Sequence, residues 1–158
     1  MHRTCLVVFT LLMWLVAPAC QQVCKNAKPR ASAADFALLM KTVAEGWNEG
    51  NAQKAANCFA DDAVYLEPPD RQLYVGRQAI YDFFGGPRKP EPPMRMEWHH
   101  LAFDEQEQAG FGEYTFQMSN RYHGIVTVAV ENGKIVKWRE YQYKSDLDWT
   151  TFVGKSKF

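Results

Sequence analysis

Neither sign of charge is in excess in this chain, where 18 Lys and Arg stand against 18 Asp and Glu over 158 residues. No dense basic run supplies a local field either, so nucleic acid is not an expected partner. Also missing is a membrane-spanning stretch: the apolar segment from Cys5 to Val16 falls short of the ~20 residues that a bilayer requires. Cysteines number only 4, none at metal-ligand spacing, and no metal or cofactor is expected. No glycine-rich phosphate loop follows a strand, and Ser119, Ser145 and Ser156 carry no nucleophile motif. Nucleotide binding and covalent catalysis therefore drop out of the leading expectations. There is no internal repeat. What remains is a chain with 47% hydrophobic and 14% aromatic residues, enough for one packed core and one domain.

The N-terminus carries His2 and Arg3, then the apolar stretch, then Ala17-Pro18-Ala19. This is the order of a signal peptide, expected over residues 1–19 with cleavage after Ala19. Cys20 then stands where a bacterial lipoprotein carries its lipid, although Ala17 and Pro18 depart from the usual lipobox. The expectation is an exported protein, secreted or periplasmic, with membrane contact only through a lipid at Cys20. Residues 20–33 lack an apolar period and read as a flexible tether, with the domain over 34–158. Cys20, Cys24 and Cys58 would remain after cleavage. An oxidising compartment permits a disulfide, but these thiols cannot all pair within one chain. Cys58, among Ala55, Ala56 and Phe59, reads as a buried, inert thiol.

Phe36, Leu39, Met40, Val43 and Trp47 recur at helical spacing, with Ser32 placed to cap and Asp35 to complete a capping box. Asn51 can cap a second helix with Ala52, Ala55, Ala56 and Phe59 on one face, ending near Asp61. Strand formers run from Ala63 to Glu67 and stop at Pro68-Pro69. Gly76 opens a third helix with Ile80, Phe83 and Phe84 inward. Four strands follow, over Met94–Phe103, Phe111–Met118, Ile125–Val130 and Lys134–Tyr143. Asn132-Gly133 between the last two is a type I′ hairpin signal, and His123 falls in the preceding turn. The expected fold is α+β, with three helices packed on one face of a curved antiparallel sheet.

The segments Phe59-Ala60-Asp61-Asp62-Ala63-Val64-Tyr65, Gly76-Arg77-Gln78-Ala79-Ile80 and Gly133-Lys134-Ile135-Val136-Lys137-Trp138-Arg139-Glu140-Tyr141 resemble SnoaL-like proteins of the nuclear transport factor 2 superfamily in order and spacing. The resemblance runs from about Asp35 to Tyr143 and implies a cone-shaped fold and a homodimer. The superfamily includes ketosteroid isomerases, polyketide cyclases, limonene epoxide hydrolases, scytalone dehydratases and members that only bind or associate. Set against the isomerases, Glu67 before Pro68 takes the place of the carboxylate base, while Val43 and a position near Val126 replace the oxyanion donors. Set against the epoxide hydrolases, Tyr65 and Glu140 match. Glu67, Tyr114 and Phe116 replace an asparagine, an arginine and an aspartate, so that mechanism is not expected.

Strand alternation places Tyr65, Glu67, Met96, Trp98, His100, Tyr114, Phe116, Met118, Val126, Val128, Trp138 and Glu140 on the concave face. The candidate acid–base groups are Glu67, Glu140, His100 and Tyr65, because carboxylates on an apolar face have shifted proton affinities and His titrates near neutrality. The candidate ligand contacts are Tyr65, Met96, Trp98, Tyr114, Phe116, Met118, Val128 and Trp138. The expected partner is a small, mostly apolar, ring-containing molecule. The alternatives are a cofactor-independent isomerase, dehydratase or cyclase with Glu67 as base, and an association module. The outer sheet face, with Arg139, Tyr141 and Tyr143, is the expected homodimer surface.

Overall fold

A computed structural model describes residues 30–68, 72–90 and 93–156. The expected signal peptide, most of the tether, Cys20 and Cys24 lie outside the described residues. Where the description begins, Arg30 already donates to the backbone oxygens of Glu105 and Gln106. Ala31 exchanges hydrogen bonds with the Gln108 side chain at 2.8 and 2.9 Å. Residues 30 to 33 are thus docked on the domain, ahead of the boundary expected at residue 34.

Helix α1 spans Ala33–Asn48 behind the capping box of Ser32 and Asp35. It buries Phe36, Met40, Val43 and Trp47, one stripe at the helical period. Helix α2, Ala52–Ala56, is capped by Asn51 and is shorter than the sequence reading. The Cys58 carbonyl accepts from Ile135 N at 2.9 Å, so Phe59 already belongs to strand β1, Phe59–Glu67. A short strand β2, Gln72–Val75, follows; then come helix α3, Arg77–Phe83, and strands β3 Arg95–Asp104, β4 Ala109–Gln117, β5 Arg121–Glu131 and β6 Lys134–Lys144. A fourth helix, α4, spans Trp149–Val153. Neither β2 nor α4 was expected.

The strands form one curved sheet in the order β2-β1-β6-β5-β4-β3. The expected antiparallel sheet is in fact mixed, because β1 runs parallel to β6. Asn132 and Gly133 turn the β5–β6 hairpin with φ of 52 and 73°, the left-handed pair that a type I′ turn demands. Helix α1 packs on the inner sheet face. Trp98 Nε1 donates to the Met40 carbonyl at 2.8 Å, and the Asn48 amide bridges both backbone polar groups of Met96.

Candidate active site

Strands β1 and β6 bring two carboxylates into the same apolar interior. In their parallel register Tyr65 faces Trp138, and alternation carries Glu67 and Glu140 inward on the next inner positions of their strands. Glu67 is 5% and Glu140 4% exposed. The Tyr65 hydroxyl donates to Glu140 Oε1 at 2.6 Å, and Trp138 Nε1 donates to Oε2 at 2.9 Å. Glu67 Oε2 accepts from Gln72 Nε2 at 3.0 Å and from Gln142 Nε2 at 3.4 Å. The Tyr74 hydroxyl in turn holds the Gln72 amide oxygen at 2.9 Å. Among the described residues no salt bridge reaches either carboxylate.

Burial without a counter-cation disfavours a charge. It pushes the Glu140 carboxyl well above the usual carboxylate range, and the facing Glu67 carboxyl pushes the same way by hydrogen bonding and repulsion. The Tyr65 and Trp138 donors oppose this without reversing it. The Tyr65 and Tyr114 hydroxyls are likewise driven up, first by burial and then by the charge of Glu140 and Glu67. Tyr114 is 1% exposed and its hydroxyl has no well-aligned hydrogen-bond partner. It lies over Gly124, where an added Cβ would stand 2.7 Å from that oxygen; glycine here makes room for the tyrosine.

Aromatic rings close in around the pair. Tyr65 stacks on Trp138 with centroids 5.7 Å apart, and Trp47 and Trp98 meet Trp138 edge-on at 6.2 and 6.1 Å. Met96, Val126 and Val128 are buried with them, and Trp98 and Phe116 are partly buried against the same core. Beside the pair, Tyr65, Trp47 and Trp98 all meet Trp138. A space of about 800 Å³ lies among α1, α2 and the β5–β6 turn, and one of about 680 Å³ on the outer face along Val64, Leu66, Phe111 and Arg139.

Three expectations fail. His100 is not with the carboxylates: a bulge at His99 makes Trp98 oppose Tyr114 but His100 oppose Glu113, which turns His100 to the outer face with Glu113 Oε2 3.9 Å from its Nδ1. Met118 lies beyond the end of β4 and is 39% exposed, so it lines no interior. His123 is within β5 and 2% exposed, not in a turn. The sequence reading also missed Gln72, Gln142 and Tyr74. Gln142 was accessible, since it stands two residues beyond Glu140 on the same strand face; Gln72 and Tyr74 belong to the unexpected β2.

Residues 41–138 match the SnoaL-like domain family. No curated protein matches the sequence. Solved structures share the fold. A protein of unknown function with a cystatin-like fold from Methylobium petroleophilum is 19% identical, with a TM-score of 0.66 over 77% of this chain and 84% of that one. An epoxide hydrolase of the LEH-like type from M. tuberculosis is 14% identical, with a TM-score of 0.58 over 70% and 84%. An epoxide hydrolase/cyclase-like enzyme with a role in pyran ring formation in the polyether salinomycin is 16% identical, with a TM-score of 0.60 over 70% and 92%.

Proposed function

The chain belongs to the SnoaL-like domain family, and from that premise we propose that it is an exported protein that binds a small, mostly apolar, ring-containing molecule and moves a proton on it, as a cofactor-independent isomerase, dehydratase or cyclase. The observation that carries this reading is the Glu67–Glu140 pair, buried among aromatic rings with no counter-cation among the described residues. Two such carboxyls are costly to a fold and can be replaced by apolar side chains at no loss of stability. Their natural use is proton transfer, where a retained proton on one carboxyl supplies the acid and the other carboxyl the base. Glu67 accepts a proton from the ligand and Glu140 donates one. Transfer between the facing carboxyls then resets the pair. The half-exposed amides of Gln72 and Gln142 mark the side from which a ligand reaches Glu67.

A second reading is that the ligand is held without turnover, against the aromatic rings of Tyr65, Phe83 and Trp138 beside the pair. Native mass spectrometry of protein purified from its own source addresses ligand and export together. The expected species begins at Cys20 and retains a small apolar molecule. A mass that includes Met1 would overturn the export assignment. With that molecule in hand, Glu67→Gln is expected to lower turnover at least about a hundredfold while retaining binding; unchanged turnover would remove Glu67 as the base, and binding with no turnover by the parent chain would leave the binding reading in its place. A homodimer through the outer sheet face forms part of the same proposal.

A further inference from the structure

Away from the carboxylate pair, a relay of polar side chains lies on the opposite sheet face beneath α4. His99 Nε2 is 2.7 Å from Thr115 Oγ1, Thr115 Oγ1 is 2.9 Å from His123 Nδ1, and His123 Nε2 is 2.9 Å from the Leu147 carbonyl oxygen. The chain after β6 crosses this cluster, and α4 lays Trp149 flat on His99 with centroids 4.1 Å apart and planes at 6°. Phe152 covers His123 at 4.3 Å. These two side chains, with the Leu147 carbonyl, make most of the described contacts between the C-terminal segment and the sheet.

We propose that residues 145–154 form a pH-responsive strap, docked on the outer sheet face while His99 and His123 are neutral and released when both imidazoles carry a proton. The donor and acceptor chemistry of the relay argues for this. A carbonyl only accepts, so His123 Nε2 must donate to Leu147. Neutral His123 then accepts at Nδ1, the Thr115 hydroxyl donates to it, and the same oxygen accepts from His99 Nε2–H. Every contact is matched in one tautomer of each ring. A first proton on His123 is absorbed by reversing the middle bonds: Thr115 accepts from Nδ1–H and donates to His99, whose remaining proton moves to Nδ1. A second proton has no such outlet. Both rings then carry charge across one hydroxyl oxygen, and that hydroxyl's own hydrogen loses its acceptor.

The surrounding charges do not cancel this. Glu97 and Glu113 favour a proton on His99, yet burial outweighs them and His123 adds to burial, so His99 lies below the ordinary histidine value of 6.5. On β5, Arg121 shares the face of His123 and donates to the Asp146 carbonyl at 3.1 Å. Asp148, at the start of α4, is committed to its cap through Thr151 N at 2.8 Å. On β6, the neighbour of His123 is the phenol Tyr143. A histidine depressed in the docked state binds its proton more readily once undocked, so docking weakens as pH falls through about 6.5.

The test is hydrogen exchange on the full chain, read at the amides of Phe152 and Gly154, which donate to Asp148 and Thr150, after correction for the pH dependence of intrinsic exchange. Their protection is expected to fall at least about tenfold from pH 7.5 to 5.5, while β5 and β6 amides keep theirs. The His99→Gln/His123→Gln variant, whose amides can donate and accept but not titrate, should keep the same protection at both values. Should that variant lose β5 protection, His99→Gln alone, at the half-exposed end of the relay, carries the same expectation. Constant protection in the parent chain, an equal fall in the variants, or a fall shared by β5 and β6 would overturn the strap.

Discussion

Glu140 holds a proton that its unfolded counterpart would release, and this has a measurable sign. A carboxyl whose folded value is raised binds more protons in the native state than in the unfolded state above the ordinary value of 4.5. Its contribution to stability is therefore fully present below that value and is lost as pH rises toward the folded value. Glu140→Gln removes the titration. Urea unfolding of both proteins between about pH 5 and 8 should show the variant gaining on the parent as pH rises, with a slope of at most about 1.4 kcal/mol per pH unit. Parallel stability curves would mean that Glu140 ionises normally in the fold. At the same scale, alternation along β1 and β6 was enough to bring Tyr65, Glu67 and Glu140 together from sequence. It failed for His100 because a single extra residue, His99, reverses the faces. Nothing in the composition around His99 and His100 announces that bulge, since β-bulges are set by strand coiling and pairing rather than by local propensity.

Elements announced by local chemistry were legible, and those made by distant partners were not. The Ser32 and Asp35 capping box and the Asn51 cap rest on side chains within a few residues, and the start of α3 rests on the positive φ of Gly76. β2 spans only Gln72–Val75 and exists as a strand because β1 offers it an edge, with Tyr74 opposite Tyr65. α4 spans only Trp149–Val153, too few residues to show a helical period, and docking on His99 and His123 holds it in place. The parallel pairing of β1 with β6 joins residues some 75 apart, as Tyr65 and Glu140 are, and no local signal encodes it. The β5–β6 turn allows a direct check of the local kind. An added Cβ at Gly133 meets nothing within 4 Å, so Gly133→Ala has no steric neighbour to displace and is expected to cost only the backbone strain of positive φ, about 1 kcal/mol. Equal thermal stability of variant and parent would show that the turn does not need glycine.

At the scale of the whole molecule, the inner sheet face is covered by helices and the outer face only in part, by α4. The inner face is sealed by α1 and α3 around Trp138, Tyr65 and Phe59. On the outer face, Leu73 is 57%, Val75 61%, Tyr141 43% and Tyr143 67% exposed. Alternation lines these up with Val64 and Leu66 of β1, which with Arg139 border the groove of about 680 Å³. Apolar and tyrosine-rich surface with an arginine at its margin has the composition of an association face, and a second copy of the chain is the occupant that the proposal names. A two-fold contact of this kind is isologous, with the same patch of each copy packed against the other. Tyr141→Asp would then bury an unpaired carboxylate from each copy in an apolar seam, whereas the same change on a monomer alters only solvated surface. Sedimentation at micromolar concentration is expected to give a dimer for the parent and at least about a tenfold weaker dimer for Tyr141→Asp, with unfolding of the dissociated variant otherwise unchanged. A parent chain that sediments as a monomer at that concentration would remove the dimer and leave the open face without the partner proposed for it.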